Sequence, residues 1–191
     1  MTFYIPPTYA QAPDIGRSRI HPASYLYFLK ATKETWQLKF AKTYQAKILL
    51  QLKFATTRLR EAKTLLSENQ DLIQPTLERY MASLKNFPDK PQEGDPMGLK
   101  IKEVLDFHLK VLEQMYPETS NPKAKMALRS VMNRVIQRAD MSPSAKLPIC
   151  TLFAKEASTS ALNEVERAVL TARASRCFDR SNQAFEETNL R

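Results

Sequence analysis

From Thr43 to Ser67 the apolar residues fall at Leu49, Leu52, Ala55, Leu59, Ala62 and Leu66. Steps of 3, 3, 4, 3 and 4 line one face of a helix. A shorter helix is predicted before it, Ser24 to Phe40, with Tyr25, Leu29, Trp36 and Phe40 among Lys30, Lys33, Glu34 and Lys39. A third follows. Asn69 is expected to stop the long helix and Asp71 to cap the next, with Pro75 tolerated in its first turn. That helix would bury Leu72, Ile73, Leu77, Tyr80, Met81 and Leu84 and end before Pro88.

Residues 88–96, PDKPQEGDP, read as a linker. Helices then restart twice by one device, a capping residue followed by proline at the first helical position: Asp95-Pro96 and Asn121-Pro122. The fourth predicted helix, Met97 to Met115, aligns Ile101, Leu105, His108, Leu112 and Met115. The fifth, Lys123 to Asp140, uses Leu128, Val131, Met132, Val135 and Ala139. The stretch MSPSAKLP reads as a break. A last helix, Ser160 to Glu187, carries Leu162, Val165, Val169 and Ala172 toward Cys177, Phe178 and Phe185. No segment alternates with period 2, and no fixed repeat appears. The expected fold is all-α: about six helices in hairpins, packed as a bundle or array, with no sheet. Its expected parts are a flexible arm (1–20), a basic hairpin plus third helix (21–87), the linker (88–96), and C-terminal helices packed on the first part (97–191).

The chemical inventory is thin. Among 191 residues only 3 are Gly, which argues against glycine-rich phosphate loops and Asn-Gly hairpins. No HExxH, P-loop or nucleophile-elbow pattern occurs. No uncharged stretch approaches the roughly 20 apolar residues of a membrane-spanning helix. A non-catalytic protein without cofactor is therefore expected. An enzyme would require His108 to meet Asp or Glu at acid–base distance. His108 reads first as a core histidine, and otherwise as a metal ligand or pH sensor. A zinc site would need His21 and His108 to join both cysteines through tertiary contact.

The opening residues, MTFYIPPTYAQA, lack the charged start and apolar run of a complete signal peptide. Ala10-Gln11-Ala12 nevertheless has the small-x-small form of a cleavage site, so the segment reads either as the remnant of an export signal or as an unstructured arm. Pro13, immediately after, counts against cleavage there.

A resemblance sharpens this. The stretch from His21 to Leu66 resembles a helical domain family of unknown function, through Pro22, Ser24, Tyr27, Leu29, Lys30, Glu34, Ala46, Leu49, Leu52, Ala55, Arg58, Leu59, Glu61 and Ala62. A second block, His108, Leu109, Val111, Leu112 and Glu113 with Ala127 and Leu128, resembles its later helix pair. The likeness covers about residues 20–140. Ala41-Lys42-Thr43 stands where the family often has an acidic turn, and the tail beyond Met141 has no counterpart. The family usually follows a signal peptide or membrane anchor in bacterial exported proteins and brings no known activity, cofactor or catalytic residue. The resemblance thus implies an extracytoplasmic protein, the alternative being cytoplasmic.

Charge placement is the strongest functional signal. The net charge is +9, and all of it lies between Arg17 and Lys63. There Arg17, Arg19, Lys30, Lys33, Lys39, Lys42, Lys47, Lys53, Arg58, Arg60 and Lys63 face only Glu34 and Glu61. Such a field attracts polyanions: an anionic envelope polymer, a lipid surface, an acidic protein or, last, nucleic acid. The bland reading is a solvated face that maintains solubility. Tyr25, Tyr27, Phe28, Trp36, Phe40, Tyr44 and Phe54 interleave with these cations, as base-stacking residues do, but core packing is the expectation. Arg58 and Glu61, three apart, are expected to form an exposed pair. Cys150 and Cys177 would bridge if the chain is exported and otherwise remain buried thiols. The expected role is a non-catalytic extracytoplasmic binding or scaffold protein acting through its basic hairpin. The alternatives are a periplasmic-type chaperone or peptide-binding module with an apolar groove, then nucleic-acid binding.

Overall fold

The computed structural model describes residues 14–85, 87, 95–138, 141–159 and 162–189, with side chains through Asp179. Seven α-helices occur in chain order: α1 Tyr27–Phe40, α2 Tyr44–Glu68, α3 Ile73–Leu84, α4 Pro96–Glu118, α5 Pro122–Ile136, α6 Pro143–Ala157 and α7 Glu164–Asn189. A 3-10 turn, Gln70–Leu72, joins α2 to α3, and the described residues contain no strand. The all-α reading holds.

Local chemistry explains most boundaries. Thr43 caps α2 by accepting from the Ala46 amide, 3.1 Å. Asp95 accepts from the Met97 and Gly98 amides, Asn121 accepts from Ala124, and Pro96 and Pro122 take the first helical positions. Between α2 and α3 the expectation fails in detail. Asn69, not Asp71, supplies a side-chain cap, and it caps the 3-10 turn rather than α3: it accepts from the Asp71 amide, while Asp71 accepts from Asn121 Nδ2 at 2.6 Å. The neighbouring Gln70 Oε1 accepts from the Ser120 and Asn121 amides, both at 2.9 Å. One hairpin turn is thus clamped onto another.

The core runs through the whole array. In α2 the buried face is Ile48, Leu52, Ala55, Leu59, Ala62 and Leu65, with Leu49 exposed and Leu66 half-buried. The expected stripe is therefore correct at its centre and one residue out of phase at both ends. This face packs against α3 and α4; α5 covers α3 and α4, and α6 joins α4 to α7. Leu77, Tyr80, Leu105, Leu112, Leu128, Met132 and Phe153 fill the space between them, none with measurable exposure.

The predicted break at MSPSAKLP is the start of a helix. Pro143 occupies the first position of α6, where a missing N–H costs nothing. Pro148 lies inside, and Ser144, whose carbonyl it leaves without a helical donor, is exposed to water. Ala145, Ile149, Cys150, Phe153 and Ala157 bury one side, so packing overrides the two prolines. The described residues consequently hold seven helices, in keeping with the expected array of about six.

Residues 14–20, expected as part of a flexible arm, lie against α2. Ile15 is buried, and its carbonyl accepts from Arg60 Nε at 2.8 Å. The Ser18 amide donates to Thr64 Oγ1 at 2.9 Å. Gly16 makes the bend with φ of 73°, a conformation that strains any residue bearing a Cβ. Residues 1–13, with the Ala10-Gln11-Ala12 pattern, lie outside the described residues, as do positions 88–94 of the linker, Ala139 and Asp140, the expected helix start at Ser160, and the Phe185 side chain.

Candidate basic cleft and outer helix

Helix α1 is assembled inside out. Three of its polar side chains, Tyr27, Lys30 and Glu34, recur at steps of 3 and 4 and turn toward α2. There they meet Arg58 and Glu61 of α2. Arg58 Nη1 donates to both Glu61 oxygens, at 2.9 and 3.0 Å, and its Nη2 pairs with Glu34. Lys30 pairs with Glu61, and Arg79 of α3 donates to the Tyr27 hydroxyl at 2.7 Å. The Arg58 and Arg79 guanidinium groups lie 5.5 and 5.1 Å from the Tyr27 ring centroid. The pair expected to be exposed is buried: Arg58 is 6% accessible and Glu61 0%. Helix spacing identified the partners, but only the docking of α1 over them removes the water.

The electrostatics of this knot follow from burial. Burial disfavours the charge on Arg58, but Glu61 and then Glu34 outweigh it and raise its pKa. Glu34 also moves up. Its burial, reinforced by the like charge of Glu61, exceeds the pull of Arg58 and Lys30. Arg58 faces two carboxylates, whereas Glu34 has another carboxylate beside its cation, so the two shifts have different dominant causes.

The remaining cations face outward. A cleft of about 460 Å³ opens between α1, α2 and residues 17–19, lined by Arg17, Arg19, Lys30, Lys33, Lys53 and Arg60, with Glu34 the one acid. The Arg17, Arg19, Lys33 and Lys53 side chains are exposed. Lys39, Lys42 and Lys47 are exposed outside the cleft, around the α1–α2 turn. Lys63 meets Asp14 at 3.2 Å, and Arg17 donates to Ser67 Oγ at 3.3 Å. Among the described residues, the ion pairs of the eleven cations go to Glu34, Glu61 and Asp14, and none reaches the C-terminal half. Among the described residues, no ion pair from the C-terminal half offsets this positive charge.

The aromatic residues correct the core expectation. Phe54 is buried and Tyr27 half-buried, but Tyr25 is 98% exposed, Phe28 65%, Trp36 61%, Phe40 67% and Tyr44 65%. Having given most of its inward arc to ion pairs, α1 leaves its large apolar residues facing outward except Leu38, which is half-buried. Trp36 and Phe40 lie one turn apart with ring centroids 5.9 Å from each other. In the sequence Lys30 and Glu34 already share a face opposite Trp36 and Phe40, but that phase does not say which face turns inward.

The histidines and cysteines do not meet. His108 Nε2 lies 3.0 Å from Thr56 Oγ1, and its Nδ1 lies 3.2 Å from the Tyr80 hydroxyl. Burial pushes the imidazole down to about 3, holding it neutral. Hydroxyls, not carboxylates, are its partners. His21 Nε2 contacts Glu68 at 2.8 Å. Cys150 and Cys177 are joined by a disulfide between α6 and α7, Cα atoms 5.4 Å apart. That separates all four residues from a shared zinc site. Among the described residues no helix is long and apolar enough to cross a membrane.

A family model described as a domain of unknown function, DUF5667, matches residues 19–169. The match reaches past the expected limit near residue 140, through α6 and into α7, leaving Cys177 beyond it. No curated protein and no solved structure matches the chain.

Proposed function

The chain belongs to the DUF5667 family, a domain of unknown function, and we propose that it is a non-catalytic, extracytoplasmic binding protein whose basic hairpin holds an anionic partner of the cell envelope. One arrangement supports the reading. The acids of the basic stretch, Glu34 and Glu61, are spent on Arg58 and Lys30, while Arg17, Arg19, Lys33 and Lys53 stand exposed around one cleft. Phosphate or carboxylate groups repeated along a polymer fit such a cleft, and attraction falls as salt screens it. A disulfide between α6 and α7 fits an oxidising compartment.

Retention of the protein by inorganic polyphosphate, followed across a sodium chloride titration, tests the binding. Retention at low salt should weaken steeply with added salt, and Lys33→Glu with Lys53→Glu should lower affinity by about tenfold. Indifference to both salt and the substitutions refutes it. Cell fractionation tests the compartment.

A second reading draws on a different surface. A groove of about 750 Å³ beside α3 and α5 is lined by Leu77, Met81, Met126, Ala127 and Val131, the setting a peptide-binding module would need. Binding of an apolar dye by the folded protein, displaced by unfolded polypeptide, would favour it.

A further inference from the structure

We propose that the outer face of α1 lies in the interfacial layer of an anionic lipid bilayer, with the helix parallel to the surface. Phe28, Leu29, Trp36 and Phe40 occupy the arc opposite Tyr27, Lys30 and Glu34, and each is more than half exposed. In an ordinary surface helix the polar arc meets water and the apolar arc meets the core. Here the polar arc is consumed by Arg58 and Glu61, and among the described residues nothing covers the apolar arc.

The residue types select the occupant. Trp and Phe beside Lys33 and Lys39 are the combination that sits at a lipid–water boundary, with rings among the upper acyl chains and ammonium groups among the phosphates. Among the described residues no carboxylate pairs with them, and both acids of the stretch turn inward. A soluble polyanion would satisfy the lysines and leave Phe28, Leu29 and Phe40 in water. A second copy of the chain would set one uncompensated positive face against another. An anionic bilayer answers both the charge and the apolar arc. The inference rests on the proposed anionic attraction for its charge component alone; the aromatic contact is separate from the cleft.

Trp36 is the single tryptophan of the protein, so its fluorescence reports on this face. The full chain is mixed with vesicles of phosphatidylglycerol and phosphatidylcholine, and with phosphatidylcholine alone. The expected result is a blue shift with the mixed vesicles, much weaker with phosphatidylcholine, and quenching by bromine placed high on the acyl chains. Phe28→Ala with Phe40→Ala should lower vesicle affinity by about tenfold while leaving polyphosphate retention unchanged. Both positions are exposed, and circular dichroism checks that the variant keeps its helices. Adsorption without a blue shift overturns the proposal, as does equal affinity of this double variant. A blue shift that grows with protein concentration in the absence of lipid, together with a dimer in sedimentation, assigns the face to a second copy and overturns it too. Loss of polyphosphate binding with the lipid response intact sinks the cleft reading and leaves this one standing.

Discussion

Arg58 Nη1 stands 2.9 and 3.0 Å from the two oxygens of Glu61, three residues along the same helix, with both side chains closed off from water. The pair fastens α1 to the fold, because Lys30 reaches the same Glu61 and Glu34 reaches the same Arg58. α1 itself has no fully buried residue. Arg58→Ala leaves Glu61 inside with fewer partners and should destabilise the protein by about 3–5 kcal/mol in denaturant unfolding. Arg58→Met with Glu61→Leu removes both buried charges and should recover much of that loss. A surface-like cost below about 1 kcal/mol for the single variant would contradict the burial.

Trp36 is the converse case, a large apolar residue that contributes little to the fold. At 61% exposure, with its ring paired to the equally exposed Phe40, Trp36→Ala should change unfolding stability by no more than about 0.5 kcal/mol. In the protein without lipid, its emission should be that of a hydrated indole. Lys33 and Lys39 on the same arc should make iodide a better quencher than caesium. Strong destabilisation, or resistance to both quenchers, would show that the ring is covered.

The helices were legible where a capping residue preceded a regular apolar face. Asp95-Pro96 and Asn121-Pro122 announce their helices because proline fits the first turn, and Ile101, Leu105, His108, Leu112 and Met115 are buried as the spacing implies. The failures have physical causes. α6 begins at a proline and contains another, so local propensity says break; the burial of Ile149, Cys150 and Phe153 decides otherwise. On α1, aromatic residues invited a core assignment, but the helix docks through ion pairs, and no rule of hydrophobic spacing anticipates a polar arc facing inward. For the basic cleft, the excess charge was readable directly. The inward turn of Glu34 and Glu61 depends on how α1 crosses α2, and only the tertiary structure carries that.

His108 should make the protein sensitive to mild acid. Its pKa is held at about 3 by burial among Thr56, Tyr80 and Phe107, against 6.5 for the free side chain. Tyr80, whose own pKa is raised chiefly by burial, stays neutral beside it, and Arg138 is the charge that acts on Tyr80. The folded value is depressed. The unfolded chain therefore binds a proton below pH 6.5 that the folded chain refuses until about pH 3. Stability is fully present above pH 6.5 and lost as pH falls through that window, by about 2 kcal/mol at pH 5. His108→Gln should flatten this part of the profile, even if the variant is less stable at neutral pH. Unfolding midpoints measured from pH 7.5 to 5 on both proteins check it; parallel profiles would reject it.

The disulfide makes α7 depend on α6. Cys150 and Cys177 are 27 positions apart, and among the described side chains of α7 the other buried apolar residues are Leu170 and Ala174. Opening a loop of this size should cost about 3–4 kcal/mol in the chain-entropy view. Among the described side chains of α7, Val165 and Val169 are exposed and Phe178 is only partly buried, so the bridge carries much of the attachment. Reduction, or Cys150→Ala with Cys177→Ala, should therefore loosen α7 first. Amide exchange should accelerate along α7 while Leu105, Leu112 and Leu128 in α4 and α5 stay protected. Thiol titration of the denatured, unreduced protein should find no reactive thiol, and two after reduction. Two thiols before reduction would remove the bridge. Uniform loss of protection across α4 and α7 would instead mean that the two segments unfold as one unit.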